Sequence, residues 1–252
     1  SYTVLIVAAD LLRFVQPEQI NSHLLPGIFI GVAAPIVIQG LLPIFESLFT
    51  VTTDITLLEL SDLNRPLLRE LAIRAPGSYT HSLIMANLSE AAAQRIGANP
   101  LLARVGCYYH DIGKMLKPEY FTENQGLRGG RNPHDHLTPS MSALIIDSHV
   151  KDGVALAEEN GLPKAIVDLI PQHHGTTVLE IFYNRAIELG VENVRRDDFR
   201  YDGPMPQTKE AGILMLADSV ESAARTLTER TPNRVRQLVR RIAQQKFTAG
   251  EL

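Results

Sequence analysis

The chain has one cysteine and no tryptophan among its 252 residues. A single thiol excludes an internal disulfide framework and a zinc cluster built on cysteines. That residue, Cys107, sits in the apolar run "RVGCYY", where a small buried side chain is the expected reading. Excess positive charge is also lacking: 24 Lys and Arg against 28 Asp and Glu leave a net charge of −4. No global field draws the chain to a nucleic-acid polymer, so a phosphate-bearing ligand must be attracted by a local site. Strand signals are weak, and neither an internal repeat nor a low-complexity segment occurs. Formal charge is absent altogether from Leu24 to Phe45, "LLPGIFIGVAAPIVIQGLLPIF".

Residues 24–45 would span roughly 33 Å as a helix, enough to cross a bilayer core. Its three prolines and three glycines would damage a soluble helix but are better tolerated in a transmembrane one. The alternative is a buried soluble hairpin. A cleavable signal peptide does not fit, because the run is too long and starts too late. "YTVLIVAA" at residues 2–9 is too short to span and reads as the tail of a preceding span. Residues 1–49 are therefore expected to close a membrane region and 50–77 to form a juxtamembrane connector. Arg13 is the one basic residue between the two apolar stretches, whereas Arg65, Arg69 and Arg74 follow the span. That asymmetry predicts a cytoplasmic C-terminal side.

Beyond residue 77 the chain reads as helices. "SYTHSLIMANLSEAAAQRIG" has Ile84, Leu88, Ala91, Ala92 and Arg95 at helical spacing, with Gly97 as C-terminal cap and His81 in the first turns. "NPLLARVGCYYHDIGK" opens with Asn99 as cap and Pro100 at the first helical position. Leu101, Leu102, Val105 and Tyr108 are expected on its buried face. "TPSMSALIIDSHVKDGVALAEENG" repeats that grammar. In "LPKAIVDLIPQHHG", His173 and His174 continue the side that carries Ile166 and Ile170. A further helix is expected to bury Ile213, Ala217, Val220 and Ala224, with Asp218 beside that stripe. Residues 123–137 and 194–206 read as loops.

Eight histidines matter through their positions. Taken singly, each has a plain explanation: His81 capping or packing, His149 in the core or on the surface, Asp218 on a polar face, His134 and His136 solvated in a loop. The adjacent pairs His110-Asp111 and His173-His174 are harder to dismiss. Neighbouring helix residues point about 100° apart and do not normally share a partner. A metal ion near a helix end is a target both members of a pair can reach. A carboxylate can bridge two ions, and mixed imidazole and carboxylate ligation suits iron, manganese or zinc better than calcium.

The order H…HD…H…HH…D over five helices resembles the HD hydrolase superfamily. "APGSYTHSLIMANLSEAAA", "NPLLARVGCYYHDIGKM", "NPHDHLTPSMSALIIDSHVKDG", "HHGTT" and "PQTKEAGILMLADSVESAAR" resemble the bacterial seven-transmembrane receptors with an intracellular HD domain, and residues 40–82 resemble that family's last membrane helix and junction. The resemblance covers nearly the whole chain from about residue 24. It implies an all-α fold, an HD-domain helical bundle over 78–252 preceded by a transmembrane helix. Characterised members hydrolyse cyclic di-AMP, so it implies a metal-dependent phosphodiesterase giving linear pApA, in the bacterial cell membrane as a multi-pass protein with the HD domain cytoplasmic. Two divalent ions, iron or manganese, are implied as cofactors. His81, His110, Asp111 and Asp218 would hold one, and His149, His173 and His174 the other, with Asp111 bridging.

Lys114, one turn beyond His110, is a candidate for a second charge on the phosphate; a solvated helix-end lysine is the plainer reading. Arg128 and Arg131 lie in a loop that looks longer and more basic than the family's usual form, and either touch phosphate or are solvated. Tyr108, Tyr109, Tyr120 and Phe121 flank the site in sequence, with core packing the commoner fate. Gly113 is expected to let the chain leave the helix close to the site. A cyclic di-GMP phosphodiesterase of the HD-GYP type is disfavoured, because "HHGTTVLEIFYNRA" lacks the glycine-tyrosine-proline signature. A one-metal nucleotide phosphohydrolase leaves His149 and His173-His174 unexplained. A non-hydrolysing receptor for the dinucleotide is the alternative from a different class. "TPNRVRQLVRRIAQQKF" places Val235, Leu238, Val239 and Ile242 opposite an arginine-rich face, which reads as packing on the domain, or as contact with anionic lipid or a homodimer partner.

Overall fold

The computed structural model describes residues 17–49, 51–126 and 132–252. Among them there are helices and loops but no strand, only an isolated bridge between Val178 and Arg200. The chain divides into two compact units between Val51 and Thr52. The first contains α1, Pro17–Phe49, a single helix that continues through Pro26, Pro35 and Pro43. Within it, Pro26–Glu46 is long and apolar enough to cross a membrane, and Phe29, Ile36 and Ile44 are exposed.

The second unit comprises α2 (Asp54–Leu60), α3 (Pro66–Arg74), α4 (Pro76–Ile96), α5 (Pro100–Tyr109), α6 (Thr122–Gln125), α7 (Pro139–Glu159), α8 (Lys164–Val167), α9 (Leu169–Gln172), α10 (Glu180–Glu188), α11 (Lys209–Arg225) and α12 (Pro232–Thr248). Its main core draws Leu57, Leu60, Leu68 and Leu71 from α2 and α3, together with Met85, Ile112, Ile166, Ile170 and Leu214. Part of the segment expected as a connector thus belongs to this core. Helix starts follow their local chemistry. Asn99 accepts from Leu102 N at 3.0 Å ahead of Pro100, and Thr138 accepts from Met141 N at 3.3 Å ahead of Pro139. Gly97 ends α4 in the left-handed region at φ 65°.

The buried faces differ in part from those expected. On α4, Ile84 and Leu88 are exposed, while Ser78, His81, Ser82, Met85, Ala86, Ser89 and Ala93 are buried. Small residues on that stripe let α4 lie close against α5, where Cys107 Sγ donates to Ser89 Oγ at 3.2 Å. On α5, Leu101 and Leu102 are only partly buried, and Ala103, Gly106, Cys107 and Tyr109 form the core face with Val105 and Tyr108. On α11, Ala217, Val220 and Ala224 are half-buried, and the inward residues include Ala211, Leu214, Met215 and Glu221 as well as Ile213. On α12, Leu238 and Ile242 pack inward but Val239 faces out. The expected loops hold short turns, among them α6 and the 3-10 turns Pro133–His136 and Arg196–Phe199. His134, expected to be solvated, is buried: its Nε2–H donates to Tyr120 O at 2.9 Å and its ring lies 5.1 Å from Phe182.

The junction after α5 positions the site. His110 caps α5, and a 3-10 turn, Ile112–Leu116, runs directly against α7. Gly113 has no positive φ. What it supplies is a missing side chain: a Cβ there would stand 1.9 Å from His149 O and 2.6 Å from Gly153 N. Glycine is needed for close approach of two backbones, rather than for the chain's exit from the helix.

Candidate metal centre

The histidines are oriented from behind by their own helices. His110 Nδ1 donates to Cys107 O at 2.8 Å and His173 Nδ1 to Ile170 O at 2.5 Å, while His149 Nδ1 donates to Ile146 O. A carbonyl can only accept, so each Nδ1 carries the proton and each Nε2 presents a lone pair. His81 follows the same logic through a carboxylate, with Nδ1 2.6 Å from Glu221 Oε2. Four imidazoles from α4, α7 and the ends of α5 and α9 thereby aim Nε2 at one volume.

Asp111, buried at its centre, faces two sets of these nitrogens with its two oxygens. Oδ1 lies 3.4 Å from His149 Nε2 and 3.7 Å from His173 Nε2. Oδ2 lies 3.2 Å from His110 Nε2 and 3.7 Å from His81 Nε2. Asp218 stands opposite, Oδ1 at 3.1 Å from His81 Nε2 and Oδ2 at 3.7 Å from His174 Nδ1. Ligand-type atoms of Asp111, His149, His173 and His174 fall within 4.8 Å of one another, as do those of His81, His110 and Asp111. All seven residues singled out in the sequence are therefore brought together. Arg128 and Arg131 lie outside the described residues.

Acceptors facing acceptors are repulsive unless a cation or proton lies between them. Nε2 of His110, His149 and His173 and Oδ1 of Asp111 are buried without a hydrogen-bond partner, and each such group costs about 1–3 kcal/mol. Four carboxylates (Asp111, Glu123, Asp218 and Glu221) meet two basic side chains, Lys114 and Arg225. The donor set is thus net negative, rich in imidazole and lined with lone pairs, which fits divalent transition ions. Without them, protons do the work. Burial opposes the charge on His81, but the hydrogen bonds to Asp218 and Glu221 overcome it and raise its pKa to about 9. Burial also opposes the charge on Asp111, yet His110 and Lys114 hold its carboxyl well below the usual carboxylate range. Burial, reinforced by His110, lowers His173 to about 3, and burial with His173 alongside lowers His174. Neutral imidazoles are the form that ligates metal.

Lys114 Nζ lies 2.7 Å from Asp111 Oδ2 and 3.0 Å from Glu123 Oε1, over the Phe121 ring at 5.0 Å. It is buried between two carboxylates, so it is not a solvated helix-end lysine. Phe121 lines the site against His149, whereas Tyr109 belongs to the core, its hydroxyl donating to Leu60 O at 2.9 Å. Four residues here were not read from the sequence: Glu123, Glu221, Arg225 and Tyr201. Glu221 receives Arg225 Nε at 2.9 Å while holding His81. Tyr201 stacks on His174 with ring centroids 4.2 Å apart and 17° between planes. Glu221 and Tyr201 carry no local signal, because each is defined by a partner distant in sequence.

The HD domain family matches residues 78–223. The chain belongs to this family. It is 47% identical over 233 residues to the cyclic-di-AMP phosphodiesterase PgpH of Bacillus subtilis, covering 92% of this chain and 32% of that protein. It is 48% identical over 221 residues to PgpH of Listeria monocytogenes, covering 88% of this chain and 30% of that one. The chain therefore spans about a third of the length of these relatives. The crystal structure of the L. monocytogenes PgpH HD domain in complex with cyclic di-AMP superposes with a TM-score of 0.71 at 50% identity, over 76% of this chain and 88% of that one. The all-α reading and the HD domain assignment hold.

Proposed function

We propose that this HD domain is a metal-dependent phosphodiesterase that hydrolyses cyclic di-AMP to linear pApA as the output domain of a membrane receptor. The observation that carries this reading is Asp111, whose two carboxylate oxygens face two separate sets of imidazole nitrogens. In this reading His81, His110, Asp111 and Asp218 would hold one ion, and Asp111, His149, His173 and His174 would hold a second. When bound, such ions, iron or manganese by donor type, supply positive charge for a phosphodiester and lower the pKa of water. The substrate class follows from the PgpH relatives and from the relative's domain crystallised with cyclic di-AMP.

The chain's own residues have distinct tasks. The carbonyls of Cys107, Ile146 and Ile170 and the Glu221 carboxylate fix which imidazole nitrogen faces inward. Lys114 presents an ammonium between Asp111 and Glu123, where a phosphate oxygen would replace Glu123 as its partner. Tyr201 stacks on His174 and Phe121 meets His149 edge-on, which holds both rings in place. Helix α1 is assigned to the membrane, as the last span of a multi-pass region over 1–49, with the HD domain, 78–252, on the cytoplasmic side that the Arg65, Arg69 and Arg74 excess favours. The test is turnover of the chelator-stripped protein reloaded with manganese or iron. Metal-dependent release of pApA from cyclic di-AMP, faster than cleavage of cyclic di-GMP, is expected. Tight binding of cyclic di-AMP with no hydrolysis under any metal would overturn the enzymatic reading in favour of a receptor.

A further inference from the structure

The net charge of the chain is −4, yet residues 225–246 hold six arginines and one lysine against a single acid, Glu229. Some of this charge is answered locally. Arg225 pairs with Glu221 at 2.5 Å, Arg234 with Glu229 at 3.2 Å and Lys246 with Glu251 at 2.7 Å. Arg236, Arg240 and Arg241 on α12 are exposed and meet no carboxylate among the described residues. Leu238 and Ile242 bury the inner face of the helix. By the 3.6-residue period, Arg236, Arg240 and Phe247 share the opposite face. Phe247 is 69% exposed and Val239, flanking it, 42%. Like charges at i and i+4 destabilise a helix slightly, and an exposed phenylalanine farther along the same face gains nothing from water. Both features fit a partner that is anionic at its surface and apolar just beneath.

We propose that this outer face of α12 docks on the anionic lipid headgroups of the bilayer that α1 enters. Guanidinium groups match phosphate geometry bidentately, and an aromatic side chain on a basic amphipathic helix seats at the headgroup boundary. The tether supplies the encounter: α1 ends at Phe49 and α2 begins at Asp54, so the domain is held at high effective concentration near the headgroups. The proposal rests on the assignment of α1 to the membrane.

The absence of tryptophan makes Phe247→Trp a single-emitter probe. The full chain is reconstituted in nanodiscs of phosphatidylglycerol with phosphatidylcholine, or of phosphatidylcholine alone. Co-elution with the discs reports α1 independently of α12. The expected result is blue-shifted emission quenched by brominated lipid in anionic discs only, and reversed by high salt. Arg236→Gln and Arg240→Gln together lower the docked-to-free ratio by roughly five-fold per arginine removed. Water-like, unquenched emission in anionic discs that carry the chain overturns the proposal. So does equal quenching in zwitterionic discs, or displacement by excess cyclic dinucleotide, which would assign the face to a soluble anion. Failure to co-elute overturns the membrane assignment itself.

Discussion

Replacing Gly113 by alanine sets a methyl carbon 1.9 Å from the His149 carbonyl oxygen and 2.6 Å from Gly153 N. Both are backbone atoms, so no side chain can swing aside. Carbon–oxygen contacts settle near about 3.3–3.6 Å, so the 3-10 turn and α7 must part by roughly 1.4 Å or more. Metal–ligand distances tolerate only about 0.2 Å, and the shift acts on the backbone of His149 itself. Overpacking of this kind costs about 1–3 kcal/mol. At about 2–4 °C per kcal/mol for a domain of this size, Tm falls by roughly 2–12 °C. The assay is paired: calorimetric unfolding, and metal content after dialysis by elemental mass spectrometry. Gly97→Ala is the control, because φ is 65° there but a Cβ meets nothing within 4 Å; backbone strain lowers its Tm while both ions stay. Gly113→Ala should lose Tm and also the ion assigned to His149. A variant with the Tm and metal content of the parent would refute the argument that glycine is required by backbone proximity.

Glu221→Gln keeps the size of the side chain but removes the carboxylate behind His81 Nδ1. Metal affinity should fall roughly 10–100-fold, measured by competition with a chromophoric chelator; unchanged affinity would detach Glu221 from the site. Lys114→Met should retain both ions but lose about 10²-fold or more in turnover, in line with loss of one electrostatic stabiliser; loss of metal instead would make Lys114 a positioning residue for Asp111. Cys107 is fully buried, and burial pushes its thiol up to about 12. Iodoacetamide should therefore label it only in denaturant, and rapid labelling of the folded protein would contradict the packing of α5 against α4.

Half of the candidate cluster was legible because chemistry was written in adjacent residues: His110-Asp111 and His173-His174 make little sense on a helix unless a compact target lies between their directions, whereas His81, His149 and Asp218 were singled out only by the family resemblance. Caps were legible for the same local reason, as with Asn99-Pro100 and Thr138-Pro139. What was not legible depended on partners. Ile84 and Leu88 look like a core stripe, but the close pairing of α4 with α5 selects serine and alanine for the inner face and turns the larger residues out. Gly113 looks like a helix exit until α7 is seen lying against it. His134 reads as loop and solvent, yet Tyr120 and Phe182 enclose it. Glu221, Glu123 and Tyr201 meet His81, Lys114 and His174 through the fold, at sequence separations no local pattern encodes.

The central claim is that Asp111 joins two metal positions. The most direct measurement is anomalous diffraction from crystals of the protein loaded with manganese. Two peaks are predicted, one reached by His81, His110 and Asp218 and the other by His149, His173 and His174, with Asp111 contacting both. A single peak, or peaks that leave Asp111 without a metal contact, would contradict the account.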